Sequence, residues 1–369
     1  MTAATARAPL DLRTAEGMLS FVPDCEDRET WLAMGMALKS EYGDAAFDAW
    51  DRWSQGGGNY NAKACRASWR GFKSRAGGVG IGTLIKFAKD KDGGYRFDTD
   101  DRPAPDGVEL ARRKAERAAR MAAEQRDRAS LAATAEANAL GAWRAAQRTG
   151  GSAYAVRKGI DNPESCRFLP LDQGGGLVVP MLRYDLPREQ ALKGVQIIRD
   201  DGTKKFTYGM EKPGTACRLG LPVVGDPVFV TEGYATGMTI RMALARRYPV
   251  FVAFDAYNLP IVVEAVHQAL PGCPIVICAD DDHATTLKGL PNNVGRIQAQ
   301  IAMDSVMEDT PERKGARLVV RCYPVFKPAT PREAKDTDFN DLHRLEGLAE
   351  VTQQMELTLD TIEELKRHG

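Results

Sequence analysis

The sequence has no excess of charge of either sign and no long apolar run. Lys plus Arg and Asp plus Glu each number 50 among 369 residues, so the formal net charge is +0. Without a global basic field, the chain must meet any nucleic acid through a local patch. No stretch approaches the ~18 consecutive apolar residues typical of a membrane-spanning helix, and the first residues lack an apolar signal core. We therefore expect a cytoplasmic protein, in a bacterial host cell, with no membrane partner.

Histidine and closely spaced cysteine are also scarce. The chain has four His and seven Cys, and no CxxC or CxxH spacing occurs. This argues against a zinc ribbon, and the odd, scattered set of cysteines argues against a disulfide framework. With 43% hydrophobic and 27% charged residues the composition is that of a folded globular protein. At this length we expect roughly two to three domains.

Composition and periodicity divide the chain into five segments. In chain order they are a small tryptophan-rich helical module at 15–95, a linker and charged helix at 96–149, a β-rich subdomain at 150–225, alternating strands and helices at 226–330, and an acidic motif with C-terminal helices at 331–369. The strand–helix alternation predicts a mostly parallel sheet covered by helices, an α/β fold. Ligands of such folds bind at the carboxyl ends of the strands.

Two segments leave alternatives open. Gly77–Lys89 predicts either a plain glycine turn or a phosphate-cradling helix entry, although the GK[ST] ending of a P-loop is missing. Residues 109–128 carry seven basic against four acidic side chains, with three acid-before-base pairs four residues apart. That pattern favours a solvated connecting helix, and the alternative is a helix that follows a nucleic-acid backbone.

Acidic residues follow three of the predicted strands. They are Glu232, then Asp280, Asp281 and Asp282, then Asp336, Asp338 and Asp341. If the strands are neighbours, these carboxylates converge, and such a cluster needs a cation to remain ionised. Hard oxygen ligands suit Mg²⁺ or Mn²⁺. A single Asp after a strand is more often a helix N-cap, as Asp338 or Asp341 could be, but three clusters together favour a metal site.

These motifs resemble a known domain. EGYATG at 232–237, the D-x-D of Asp280 and Asp282, and DTDFND at 336–341 are similar to the toprim domain of DnaG-type primases, topoisomerases and certain nucleases. The EGYATG form is most similar to phage and plasmid DNA primases, including the TraC group. Upstream, AVRKGI at 155–160 resembles the opening of the primase catalytic core. The resemblance implies a Rossmann-like toprim sheet preceded by a β-rich primase subdomain.

The resemblance also implies residue roles. Glu232 would act as general base at the attacking hydroxyl. Two Mg²⁺ or Mn²⁺ ions would be bound by four carboxylates, those of Asp280, Asp282, Asp336 and Asp338, and no zinc is expected. Nucleotide and template phosphates would meet the basic residues of the β-rich subdomain, which are Lys193, Arg199, Lys204 and Lys205.

Residues 15–95 resemble the primase C-terminal type 2 (PriCT-2) module, for which helicase docking and template holding are the natural tasks. Trp31 and Trp50 share helix faces with other apolar residues, which favours a small core over base-stacking platforms. No Walker A motif is present, so we expect a separate replicative helicase or other replication protein as partner, besides single-stranded DNA and NTPs. The expected function is a primase that makes short RNA primers; a toprim nuclease and a non-catalytic adaptor are the alternatives.

Overall fold

The computed structural model describes residues 10–22, 25–72, 79–89, 94–95, 107–287, 290–307 and 318–368. The chain divides into two compact units, Met1–Asp127 and Arg128–Gly369. The predicted turn at Gly77 and most of the predicted linker lie outside the described residues, as do the side chains of Glu109 and Arg113.

The described part of the first unit is helical. Its helices are α1 (Leu12–Leu19), α2 (Arg28–Tyr42), α3 (Phe47–Ser54), α4 (Ala62–Gly71) and α5 (Ile81–Lys89), and α6 (Gly107–Ala145) begins in it and ends in the second unit. Trp50 is fully buried, with its ring centroid 4.5 Å from that of Trp31 and 5.4 Å from that of Trp69. The prediction that these tryptophans form a core is confirmed.

Two arginines of the basic helix α6 are engaged within the first unit. Arg117 pairs with the carboxylate of Glu41 at 3.2 Å, and Arg120 donates a hydrogen bond to the Glu41 carbonyl at 3.2 Å. Both contacts reach the C-terminal part of α2. These two guanidinium groups are therefore engaged within their own unit. The two alternatives for the helix as a whole stay predictions.

The second unit combines two sheets, a small hairpin and helices. Its helices are α7 (Ala153–Arg157), α8 (Tyr234–Ala243), α9 (Leu259–Ala269), α10 (Val294–Met307), α11 (Phe339–Glu346) and α12 (Leu348–His368). Its strands are β1 (Arg167–Phe168), β2 (Gly176–Leu182), β3 (Leu192–Arg199), β4 (Lys204–Phe206), β5 (Cys217–Leu219), β6 (Val228–Thr231), β7 (Val250–Val252), β8 (Ile275–Cys278), β9 (Thr286–Leu287), β10 (Leu290–Pro291) and β11 (Val319–Cys322).

Strands β1 to β4 form an antiparallel sheet in chain order, as the sequence predicts. Side chains alternate between its two faces. On β3, Ile198 belongs to the same core as Phe339 of α11, whereas Val195 and Ile197 pack with Ala139 of α6. One face of this sheet is therefore directed to the core that contains α11, and the other to α6.

The second sheet has the order β11-β8-β6-β7-β5, in which only β5 is antiparallel. Apolar side chains of α8, α11 and α12 form the core with one face, and those of α9 and α10 form the core with the other. This arrangement confirms a mixed α/β fold with a mostly parallel sheet. Among the described helices, none combines the length and the apolar character needed to cross a bilayer.

Candidate active site

Adjacent parallel strands bring predicted site residues to one edge of the sheet. Strand β6 lies between β7 and β8, with Thr231 in register with Val252 and Cys278. Glu232 follows β6 directly and Asp280 follows β8 after one residue. Because parallel strands end at the same edge, Glu232 and Asp280 meet where ligands of this fold class bind.

The start of α11 adds two further carboxylates. Asp338 is the N-cap of α11: its Oδ1 accepts a hydrogen bond from the Asp341 amide at 2.8 Å, and the Asp341 side chain accepts one from the Asp338 amide, which completes a capping box. Asp338 Oδ2 also accepts a hydrogen bond from Thr236 Oγ1 of α8 at 3.0 Å. The capping alternative is confirmed for Asp338. Burial, followed by the charge of Asp338, raises the pKa of Asp341.

The clustered charges shift the pKa values of the two central acids. Burial, followed by the charges of Asp282 and Asp255, raises the pKa of Glu232 to about 7. Burial, followed by the charges of Glu232 and Asp338, raises the pKa of Asp280 well above its usual value. Glu232 Oε1 and Asp280 Oδ1 are both buried without a hydrogen-bond partner. Such an uncompensated pair costs free energy unless a proton or a cation neutralises it.

The three aspartates of the DDD run are directed to different partners. Asp282 Oδ2 accepts a hydrogen bond at 2.9 Å from the amide of Gly295 in the first turn of α10. A Cβ atom at Gly295 would lie 2.3 Å from the carbonyl oxygen of Asp280, so only glycine allows α10 to begin this close to the carboxylates. Asp281 is buried in a separate ion-pair network with Arg332 and Arg296.

Asp336 has a local role in the structure. It is buried, and its Oδ2 accepts a hydrogen bond from the Glu333 amide at 2.8 Å. The carboxylates of this segment whose charges raise the pKa of Asp280 are Asp338 and Asp341. The metal role assigned to Asp336 from sequence therefore stays a prediction with little support from its position. Asp341 was not assigned a site role, although it lies in the same DTDFND motif.

Two lysines flank the carboxylates. Lys158 Nζ lies 3.6 Å from Asp341 Oδ1. Lys204 is in register with Ile198, so its side chain is on the face of β4 directed to the α11 core. Burial, followed by the charge of Lys158, lowers the pKa of Lys204. The negative charges of Asp338 and Asp280 oppose this shift. Part of the Lys204 side chain is exposed to solvent. The sequence signal for Lys158 is its place in the AVRKGI motif, for which the sequence predicts no residue role.

The other three predicted basic contacts have different surroundings. Lys193 Nζ donates a hydrogen bond to Glu136 Oε1 of α6 at 2.7 Å. Lys205 is in register with Ile197, which packs on the α6 side. Arg199 donates a hydrogen bond to the Gln173 carbonyl at 2.7 Å. Of the four residues, the structure brings only Lys204 into the electrostatic range of the carboxylates, and the phosphate-binding roles of the others stay predictions.

The helical N-terminal unit has a family assignment. Residues 15–88 match the family Primase C terminal 2 (PriCT-2).

The chain is also similar to curated primases. It is 31% identical over 261 residues to an Escherichia coli protein named DNA primase TraC, and the match covers 67% of this chain and 22% of that protein. A second Escherichia coli protein of the same name is 31% identical over 146 residues, 38% of this chain and 9% of that protein. The chain thus spans about a fifth of the length of the first of these relatives. The resemblance to PriCT-2 and TraC primases is confirmed.

Two solved structures also show similarity. One is the primase fragment of the bacteriophage T7 primase-helicase protein, at 15% identity and a TM-score of 0.35, covering 56% of this chain and 70% of that one. The other contains bacteriophage T7 lagging-strand DNA polymerase with primase domains bound to an RNA/DNA hybrid and dTTP, at 16% identity and a TM-score of 0.36, covering 56% and 87%.

The carboxylate cluster fits a hard divalent cation in its donor chemistry. Within the described residues, no three His, Cys, Asp or Glu side chains are already arranged as a metal cage. Mg²⁺ does not require one, because it usually keeps several waters and is bound through one or two carboxylates together with substrate phosphates. The buried, unpartnered Oδ1 of Asp280 is a suitable ligand. Carboxylate oxygens favour Mg²⁺ or Mn²⁺ over softer metals.

Proposed function

We propose that this chain is a DNA primase that synthesises short RNA primers on single-stranded DNA. The observation that carries the proposal is the pair of buried, unpartnered carboxylate oxygens of Glu232 and Asp280 at the strand ends, flanked by Lys158 and Lys204. The similarity to proteins named DNA primase TraC supports it. The carboxylates at the carboxyl edge of a mostly parallel sheet support a toprim-type domain.

In the proposed reaction, a 3′-hydroxyl attacks the α-phosphorus of an NTP, a new phosphodiester bond forms, and pyrophosphate leaves. Glu232 takes the hydroxyl proton as general base. Divalent cations held by Asp280, Asp282 and Asp338 would neutralise the charge that develops on the phosphoryl oxygens. Lys158 and Lys204 supply positive charge for the triphosphate and the leaving pyrophosphate.

The proposal includes partners. Single-stranded DNA is the template and NTPs are the substrates. We assign the PriCT-2 module, residues 15–88, to contact with template or with a separate replicative helicase or other replication protein. Its buried tryptophans argue that such contacts use its exposed helix faces rather than its aromatic core.

The test is a primer-synthesis assay with single-stranded DNA, labelled NTPs and Mg²⁺ or Mn²⁺. We expect short labelled RNA products from the wild type and at least a 100-fold loss in Glu232→Gln and Asp280→Asn, since removing a catalytic base or a phosphoryl-stabilising group costs about that much. Asp360→Asn, an exposed acid on α12, is the matched control and should retain activity.

The alternatives give different results in the same assay. Metal-dependent degradation of the DNA template without RNA products would identify a toprim nuclease that uses the same acids. Neither synthesis nor degradation, together with binding of a replicative helicase, would indicate a non-catalytic adaptor. Either result would overturn the primase proposal.

A further inference from the structure

An aromatic ring lies partly uncovered beside the carboxylate cluster. Phe206 is the last residue of β4 and is 38% exposed. Because side chains two residues apart on a strand share a face, Phe206 lies on the same face of β4 as Lys204, and Lys205 lies on the opposite face. The ring therefore lies on the face of this sheet that is directed to the core containing α11.

Side chains from the neighbouring sheet hold this ring in place. The Phe206 and Phe254 centroids are 6.2 Å apart with an interplanar angle of 87°, an edge-to-face contact. Lys212 Nζ lies 4.7 Å from the Phe206 centroid and forms an ion pair with Asp255. One ring face is thus covered by a cation, and the exposed fraction of the side chain shows that another part of the ring remains open to solvent.

Two of these supporting residues, Phe254 and Asp255, directly follow the strand next to β6, which ends before Glu232. Phe254 and Asp255 follow β7, and the Ala253 amide donates a hydrogen bond to the Thr231 carbonyl at 2.8 Å, directly before Glu232. Phe254 has a φ of +72°, a conformation that bulky residues rarely adopt and that persists only where the surroundings hold it. The ring of Phe206 is accordingly fixed relative to the proposed catalytic acid.

We propose that Phe206 is the stacking platform for the base of the incoming nucleoside triphosphate. An aromatic residue serving only as core would be buried, whereas this side chain is 38% exposed. The ammonium group of Lys212 lies against the ring and Lys204 is on the same strand face, which suits a ligand that joins an aromatic base to a polyanion. This inference rests on the proposed function, because it names how that site recognises its substrate. Stacking tolerates any base, as primer synthesis requires.

The test compares the binding of ATP and of inorganic tripolyphosphate, both with Mg²⁺, by equilibrium titration of the full chain. Phe206→Ala should weaken ATP binding about tenfold, within the range for loss of one base–aromatic stack, and should leave tripolyphosphate binding unchanged. Phe206→Tyr should restore ATP binding. Tyr208→Ala removes an aromatic side chain that is 85% exposed in the same segment, and it should bind ATP as the wild type does.

Several outcomes would overturn the platform. In Phe206→Ala, these outcomes are an equal loss of ATP and tripolyphosphate binding, unchanged ATP binding, or weaker binding of single-stranded DNA with ATP binding retained. A loss of ATP binding in Tyr208→Ala as large as in Phe206→Ala would also overturn it, as would a wild type that does not bind ATP.

Primer synthesis measured in parallel separates the two proposals. A wild type that makes no primers but shows Phe206-dependent ATP binding would refute the primase and keep the platform; active priming by Phe206→Ala with unchanged KM for NTPs would refute only the platform.

Discussion

Asp281 Oδ2 lies 3.0 Å from NH2 of Arg332, so the central acid of the DDD run is a structural residue between two proposed ligands. Its Oδ1 also accepts a hydrogen bond from Asn293 Nδ2 at 2.7 Å. Burial alone would raise the pKa of Asp281, but the hydrogen bonds from Arg332 and Asn293 hold it below its usual value. This network ties β8, α10 and the segment before α11 together, and it thereby sets the positions of Asp280 and Asp282.

Replacing Asp281 should therefore destabilise the fold. We expect Asp281→Ala to lower the free energy of unfolding by about 2–3 kcal/mol, because the guanidinium groups of Arg332 and Arg296 lose their buried partner. The loss stays at this size because Arg296 is partly exposed to solvent, which compensates part of its charge. Urea denaturation measures this, with Asp360→Ala as the control. Since the folded pKa is lowered, the contribution of Asp281 is present above its unfolded pKa and is lost as the pH falls through its folded value. A loss of less than about 0.5 kcal/mol at pH 7 would contradict the network.

The raised pKa of Glu232 predicts a pH dependence of stability without divalent cations. The folded state binds a proton that the unfolded state has released, so stability should fall as the pH rises from about 4.5 to about 7. The loss attributable to this group is about 3 kcal/mol, since one pKa unit corresponds to about 1.4 kcal/mol. Thermal unfolding in EDTA should show the trend, and Glu232→Gln should flatten it. Added Mg²⁺ should raise Tm more at pH 8 than at pH 5; an equal effect at both pH values would argue against cation binding by these acids.

Asp338 combines a cap with a charge, and substitutions can separate the two. Asp338→Ser should keep the N-cap hydrogen bond and the stability of α11, whereas Asp338→Ala should cost about 1 kcal/mol. If the negative charge serves the proposed metal site, both variants should lose primer synthesis to a similar extent. Activity in Asp338→Ser equal to that of the wild type would assign Asp338 to capping alone.

The two faces of β3 and β4 predict unequal roles for their lysines. Lys204→Ala should reduce primer synthesis at least tenfold, because it removes a cation that interacts with the charges of Asp338 and Asp280. Lys193→Ala removes an ion pair with Glu136 on the α6 side and should change stability by no more than about 1 kcal/mol while retaining activity. Steady-state kinetics with varied NTP concentration measure the activity of both variants, and urea denaturation measures the stability of Lys193→Ala. Similar losses in the two variants would show that the template path extends to the α6 face.

Much of the fold could be predicted because its periodicities are local. The helix Phe47–Ser54 lies in the predicted helical module, and the strand Ile275–Cys278 and the helix Leu259–Ala269 lie in the segment of predicted strand–helix alternation. Apolar spacing and flanking glycine or polar residues specify such elements without long-range contacts. The strand–helix alternation likewise predicted a mostly parallel sheet. It also placed Glu232 and Asp280 at strand ends, and the structure shows that those strands are neighbours.

The partners of individual side chains could not be predicted in the same way. Sequence alone grouped Asp336 with Asp338, but the turn at Glu333 directs Asp336 to a backbone amide and leaves Asp341 beside Lys158. It also grouped Lys193 and Lys205 with Lys204, although strand register places them on the opposite face.

The sequence by itself determined the α/β class, the PriCT-2 resemblance and the candidate acids, because these depend on residue type and short-range spacing. Only the tertiary structure decided which acids share a charged cluster and which are satisfied elsewhere. It alone brought Phe206 of one sheet against Phe254 of the other. Burial and electrostatic coupling depend on distances between residues far apart in the chain, and those distances exist only once the sheets and helices have packed.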